Sequence, residues 1–223
     1  MMNILIAKGS VDMRRKMALL ALVTFFMLAV SGCQKSWYVD FTKPGNLADW
    51  IFIPNYEITP EGLILDDDEA ASPRYIWTGD FTVTVKFVAG TDEDNHIYWS
   101  FWVGDGHTWY FDYRIATYST SGGSFTDSWQ VWTQPPLDPI VMNSQGYGLI
   151  PGTRNGSLNT WTMKKDGDHF IMKMNGTTYA EWDEEHYLAD DYIVTLNSVN
   201  IGTNKMLIKS IRVDYNEGSM TPF

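Results

Sequence analysis

Eight residues in the middle of the chain carry side chains suited to holding a sugar. Tyr98, Ser100 and Trp102 alternate along one strand-like run, Tyr110, Asp112 and Arg114 along the next, and Gln130 and Trp132 along a third. Aromatic rings stack on the apolar faces of sugar rings, while Asp, Arg and Gln read hydroxyls through directional hydrogen bonds. On neighbouring strands the eight would share one sheet face and line a groove. The same set has a structural alternative, an outer face covered by long loops with Trp102 and Trp132 as secondary core. Two acidic runs, Asp66-Asp67-Asp68-Glu69 and Thr91-Asp92-Glu93-Asp94-Asn95, could offer oxygen ligands to Ca²⁺, with Asp92 and Asp94 the candidate ligands. Neither has EF-hand spacing, and an acidic turn is ordinarily just solvated. His96, His107, His169 and His186 are scattered, without the spacing of a zinc site. A G-x-S-x-G elbow and a phosphate-cradling loop are both missing from the sequence, so apart from Ca²⁺ no cofactor is implied.

The elements that must position these residues are strands. Phe81 to Phe87 alternates without error, with Phe81, Val83, Val85 and Phe87 on one face. Ile97, Trp99, Phe101 and Val103 face away from the aromatic-polar set, and Trp109, Phe111, Tyr113 and Ile115 do the same in the next run. Gly104-Asp105-Gly106 between these runs predicts a tight connection. Thr160 to Lys165, Asp166-Gly167 and His169 to Met174 read as strand, turn and strand, and Asn175-Gly176 turns the chain into Thr177 to Trp182. Tyr192 to Ile201 and Met206 to Tyr215 close the series. Ser119 to Ser124 and Gln134 to Asn159 break the alternation and read as loops. The expected core holds Phe81, Val83, Val85, Phe87, Trp99, Phe101, Phe111, Trp161 and Met172. The fold class that follows is all-β, with two packed antiparallel sheets.

Several signposts occur in a telling order: Asp40-Phe41, Leu47-Ala48-Asp49-Trp50, Glu61-Gly62-Leu63-Ile64-Leu65 and Gly79-Asp80-Phe81-Thr82-Val83. Asn159-Thr160-Trp161, Asp166-Gly167-Asp168, Met174-Asn175-Gly176 and Ile208-Lys209-Ser210-Ile211-Arg212-Val213 follow. The series resembles the concanavalin A-like lectin and glucanase jelly roll, and most of all the laminin G-like and 3-keto-disaccharide hydrolase-like domains of secreted bacterial proteins. The resemblance runs from Asp40 to Tyr215 and implies a carbohydrate groove on the concave sheet. Glu181-Trp182-Asp183-Glu184-Glu185 also resembles the E-x-D-x-E pattern of laminarinase-type retaining glycoside hydrolases, which would make Glu181, Asp183 and Glu185 the catalytic carboxylates. Retaining chemistry needs two carboxyls about 5–5.5 Å apart. In those enzymes, however, the motif precedes the hairpin that resembles Trp161 to Gly176, and here it follows. A strand end running into a solvated acidic loop is the favoured reading.

The chain has 223 residues, a formal charge of −11, 15% aromatic residues and one cysteine. The acidity argues against nucleic acid, because a binder must neutralise phosphates with a basic face. A single Cys excludes a disulfide framework and a multi-thiolate metal site. That cysteine follows a basic segment, Met13-Arg14-Arg15-Lys16, an apolar run, Met17 to Val30, and Ser31-Gly32. The arrangement resembles the bacterial lipobox, which implies lipid (palmitate among it) on Cys33 and cleavage before it. It also implies a lipid-anchored protein of the bacterial envelope, with Gln34 pointing to the outer membrane rather than inner-membrane retention. The expected organisation is a signal peptide over 1–32 (translation starting at Met1 or Met13), Cys33 and a short tether over 33–38, a single sandwich domain over 39–216 and a tail over 217–223. Processing would leave 12 basic and 26 acidic residues. The functional expectation is an envelope module that binds a glycan without catalysis, with a glycoside hydrolase and a structural or adhesin role as the alternatives.

Overall fold

Phe81, Val83, Val85 and Phe87 are buried on one side of a strand whose other side shows Thr82, Thr84 and Lys86, as the alternation requires. The computed structural model describes residues 35–43, 45, 47–52, 56–66, 70–88, 97–105, 114–121, 128–134, 139–147, 149–154, 156–185, 188–197, 205–215 and 220–222. Within these, the strands in chain order are β1 (Lys35–Asp40), β2 (Trp50–Phe52), β3 (Glu57–Thr59), β4 (Gly62–Asp66), β5 (Ala70–Pro73) and β6 (Tyr75–Thr78). The central strands are β7 (Phe81–Val88), β8 (Ile97–Asp105), β9 (Arg114–Ser121), β10 (Ser128–Gln134), β11 (Val141–Tyr147) and β12 (Leu158–Asp166). The last are β13 (His169–Met174), β14 (Thr177–Asp183), β15 (Asp191–Asn197), β16 (Lys205–Tyr215) and β17 (Met220–Pro222). No helix occurs among the described residues.

The strands form two antiparallel sheets. The first runs β14-β13-β12-β7-β16-β4-β3, with β1 added on β16; the second runs β11-β10-β9-β8-β15-β5-β2, with β6 bridging β15 and β17. Their inner faces interlock through aromatic contacts that cross between sheets. Phe101 of β8 meets Phe87 of β7 edge-on at 5.0 Å between centroids and Trp161 of β12 at 5.1 Å. The Trp161 indole N–H donates to the Tyr179 hydroxyl at 2.7 Å, so its one polar atom is satisfied inside the core. Of the nine expected core residues, Phe81, Val83, Val85, Phe87, Phe101, Trp161 and Met172 are buried; the Trp99 side chain and Phe111 lie outside the described part. Each large apolar side chain taken out of water contributes about 1.5–3 kcal/mol.

Two Asx-Gly turns set the hairpins of the first sheet. Asn175 and Gly176 both have positive φ, 50° and 84°, as a type I′ two-residue loop demands, and Gly167 has φ 63°. The sheet ladders also reach further than the sequence suggests. β1 and β17 carry them into 35–38 and 220–222, read above as tether and tail. Trp37 explains the first extension, since its ring packs against Trp50, Tyr75 and Trp77 at 5.5–5.9 Å between centroids.

Three expectations need correction. The segment from Gln134 to Asn159 is not all loop, for it contains β11, paired with β10 through a bulge. The tight turn at Gly104-Asp105-Gly106 is not formed: β8 continues through Asp105, and Gly104 pairs with Arg114. Ser119 to Ser121, read as the start of a flexible loop, is the end of β9, where Ser119 pairs with Trp99 and Ser121 with Ile97.

Candidate functional site

Phe101 and Val103 are buried in the core, so strand alternation turns Trp102 between them to the outer face of the second sheet. Val131 and Thr133 fix Trp132 in the same way. Register then brings the two tryptophans together: Trp102 pairs with Ala116 on β9, and Ala116 pairs with Trp132 on β10. The row continues to Met142 on one side and Thr195 on the other. Two strand spacings separate the indole-bearing positions, about 10 Å across the sheet. Both tryptophans are half-buried. The Trp102 indole N–H donates to Ser100 Oγ two residues back on the same face, which lays the ring along the strand and over that serine. One position along, Gln130 pairs with Tyr118 and Gln145, and Tyr118 pairs with Ser100.

Trp102, Gln130 and Trp132, expected together from alternation, are therefore together. Tyr98 and Arg114 hold ladder positions on the same strands, opposite Thr120 and Gly104. Tyr110 and Asp112 lie outside the described residues, and the position opposite Trp102 on β9 belongs to Ala116. Cys33, Asp92 and Asp94 also lie outside the described residues. Sequence reasoning missed Met142, Gln145 and Thr195 on this face. Thr195 is 2% exposed, and its hydroxyl has no hydrogen-bond partner among the described residues. A buried hydroxyl without a partner is costly.

The strands of the second sheet are poor in acid: only Asp105 and Asp191 carry a carboxylate. The E-x-D-x-E carboxylates sit elsewhere, at the edge of the first sheet. Glu181 and Asp183 are exposed on β14, and Glu185 lies beyond its end. The His169 imidazole bridges the first two, with Nδ1 2.6 Å from Asp183 Oδ1 and Nε2 3.2 Å from Glu181 Oε1. The hydrogen bond to Asp183, with Glu181 adding to it, holds the His169 pKa above its ordinary value. Glu184, between the candidates, turns inward and accepts a hydrogen bond from the Thr133 hydroxyl at 2.8 Å. Among the described residues no group of three His, Cys, Asp or Glu side chains could hold a metal ion.

Solved structures settle the architecture. The chain is similar to a non-specific endo-β-1,3(4)-glucanase of glycoside hydrolase family 16, with a TM-score of 0.64 and 12% identity over 82% of this chain and 92% of the other. The fold is the concanavalin A-like jelly roll. It is similar in the same degree to an endo-β-1,3-glucanase from Pyrococcus furiosus, TM-score 0.64 and 12% identity over 82% and 94% of the two chains. A family 16 endo-glucanase from Bacteroides ovatus aligns with a TM-score of 0.60 and 10% identity over 79% and 99%. No protein-family model matches the chain, and no curated protein does. At such identities the jelly roll hosts many activities, and the site has to carry the functional argument.

Proposed function

We infer that the protein engages a polysaccharide of the β-glucan class across the outer face of the second sheet. The observation that carries this reading is the transverse row in which Trp102 and Trp132 stand two strands apart with Ala116 between them. Two flat aromatic platforms in line suit successive sugar rings of one chain, and Gln130 lies beside them to read hydroxyl groups. Recognition is the activity that these side chains support best.

Hydrolysis is the second reading. The sequence expectation leaned away from catalysis, but the similar structures are glucanases, and that likeness weighs for a glycoside hydrolase over a purely binding module. A retaining hydrolase needs a carboxyl pair about 5–5.5 Å apart at the bound glycosidic bond. Asp105 and Asp191 are the only carboxylates that the strands of this sheet offer. Titrating the protein with laminarin and with mixed-linkage glucan, while assaying release of reducing ends, separates the cases. Saturable binding without release assigns a binding module, release assigns a hydrolase, and neither on any β-glucan overturns the proposal.

Lipid anchoring in the bacterial envelope is the accompanying proposal. It is supported by the basic segment, apolar run and small residues that lead into Cys33. Radiolabelled palmitate should enter the wild-type chain and not the Cys33→Ser variant; equal labelling of both would refute it.

A further inference from the structure

A buried polar chain ties the binding face to the opposite sheet. The Asn143 side-chain amide donates to Thr133 Oγ1 at 2.8 Å, and the Thr133 hydroxyl donates to Glu184 Oε2 at 2.8 Å. Thr133 is 0% and Glu184 6% exposed. The Trp182 indole N–H points at the same carboxylate oxygen at 3.4 Å, and the Glu184 backbone N–H donates to the Asp168 carbonyl at 2.9 Å, which fixes where the glutamate enters. Burying a carboxylate is costly, and an apolar side chain would pack there with no such cost. Buried polar groups of this kind are best attested as devices that select one register over another.

Here a register is at stake. Val131 pairs with Ser144 and Trp132 with Met142, so Asn143 is the extra residue of a β-bulge. The bulge turns the Asn143 amide inward to Thr133 and sets Met142 on the outer face, abreast of Trp132. Without the bulge Asn143 would stand opposite Trp132, and Met142 would pass to the inner face beside Thr133, because a one-residue slip reverses the side of every residue that moves.

We propose that Glu184 is a positioning residue for the glycan face: through Thr133 and Asn143 it holds the bulged register that extends the Trp102–Trp132 row with Met142. The role in binding rests on the function proposed above, whereas the register claim can be read without any glycan. With methionine methyl groups labelled in the full chain, and the Met142 signal assigned through Met142→Leu, a soluble paramagnetic probe should attenuate that signal in the wild type. Glu184→Ala should protect it, and Glu184→Gln, which keeps an oxygen acceptor for the Thr133 hydroxyl, should restore the attenuation. Thr133→Val, nearly equal in volume, should give the same protection and serves if Glu184→Ala does not fold. Laminarin affinity should fall about tenfold in the variants that slip, in the range of one lost well-packed contact, and recover in Glu184→Gln. A Met142 signal attenuated equally in the wild type, Glu184→Ala and Thr133→Val would overturn the positioning role. Absence of laminarin binding by the wild type, with the signal behaving as expected, would overturn the glycan reading and leave the register device standing.

Discussion

Around Trp102 the second sheet shows half-buried indoles, a serine under one of them and a buried threonine hydroxyl with no partner among the described residues, on strands that carry only two carboxylates. At the β14 edge of the first sheet the β13–β14 hairpin shows Glu181 and Asp183 on either side of His169. The first region has what stacking requires: flat apolar faces held still by flanking core residues, with few competing charges. The second has carboxylates, but they are exposed and already bonded to an imidazole. Charge along the sequence draws attention to the hairpin, whereas packing draws it to the tryptophan row. Only the row combines a rigid scaffold with surface left for a ligand.

Trp161→Ala removes the ring that contacts Phe101 between the sheets and should cost about 3–5 kcal/mol of stability, read by denaturant unfolding. Both regions would suffer, and a loss under 1 kcal/mol would mean that the two sheets do not share one core. Gly146→Ala acts first on the second sheet. A Cβ there would fall 2.6 Å from the Trp129 indole nitrogen, and that ring is buried, so overpacking should cost about 1–3 kcal/mol and loosen β11 against β10. Hydrogen exchange should quicken in β10 and β11 while the β13–β14 amides stay protected.

Trp132→Ala should weaken laminarin binding by about 1–3 kcal/mol, the range of an interface hot spot, with a smaller effect on melting than Trp161→Ala. The smallest expected effect belongs to the hairpin. The His169 pKa is raised in the folded state, so the stability it contributes is fully present below the unfolded value, about 6.5, and fades as pH rises through the higher folded value. His169→Gln should flatten that slope and leave glycan affinity unchanged. A slope of opposite sign would show that His169 is not held in its charged form.

The legibility of the fold followed local pattern. β7, β12 and β13 were readable because their alternation is unbroken and Asx-Gly turns mark the hairpin ends. β11 was hidden by its bulge: Asn143 shifts the phase, so Met142 and Gln145 share the outer face at a spacing no period-2 pattern contains. The shift of β9 had another cause. Trp109 to Ile115 alternates as well as any strand, and the pairing of Gly104 with Arg114 is a tertiary choice that overrides a local turn signal. Within the site, Trp102 and Trp132 could be placed because each sits between core residues. Glu184 could not, since it lies past the end of β14 and its inward turn depends on the backbone bond to Asp168.

One comparison of variants tests the tryptophan row most directly. Laminarin affinity should be measured for the wild-type protein, for Trp102→Ala and for Glu181→Gln/Asp183→Asn, with melting temperatures recorded alongside. Tenfold or greater weakening in Trp102→Ala, with wild-type affinity in the double carboxylate variant and folding retained in both, is the predicted result. Unchanged affinity in Trp102→Ala, or loss of binding in the carboxylate variant alone, would contradict it and move the site to the first sheet.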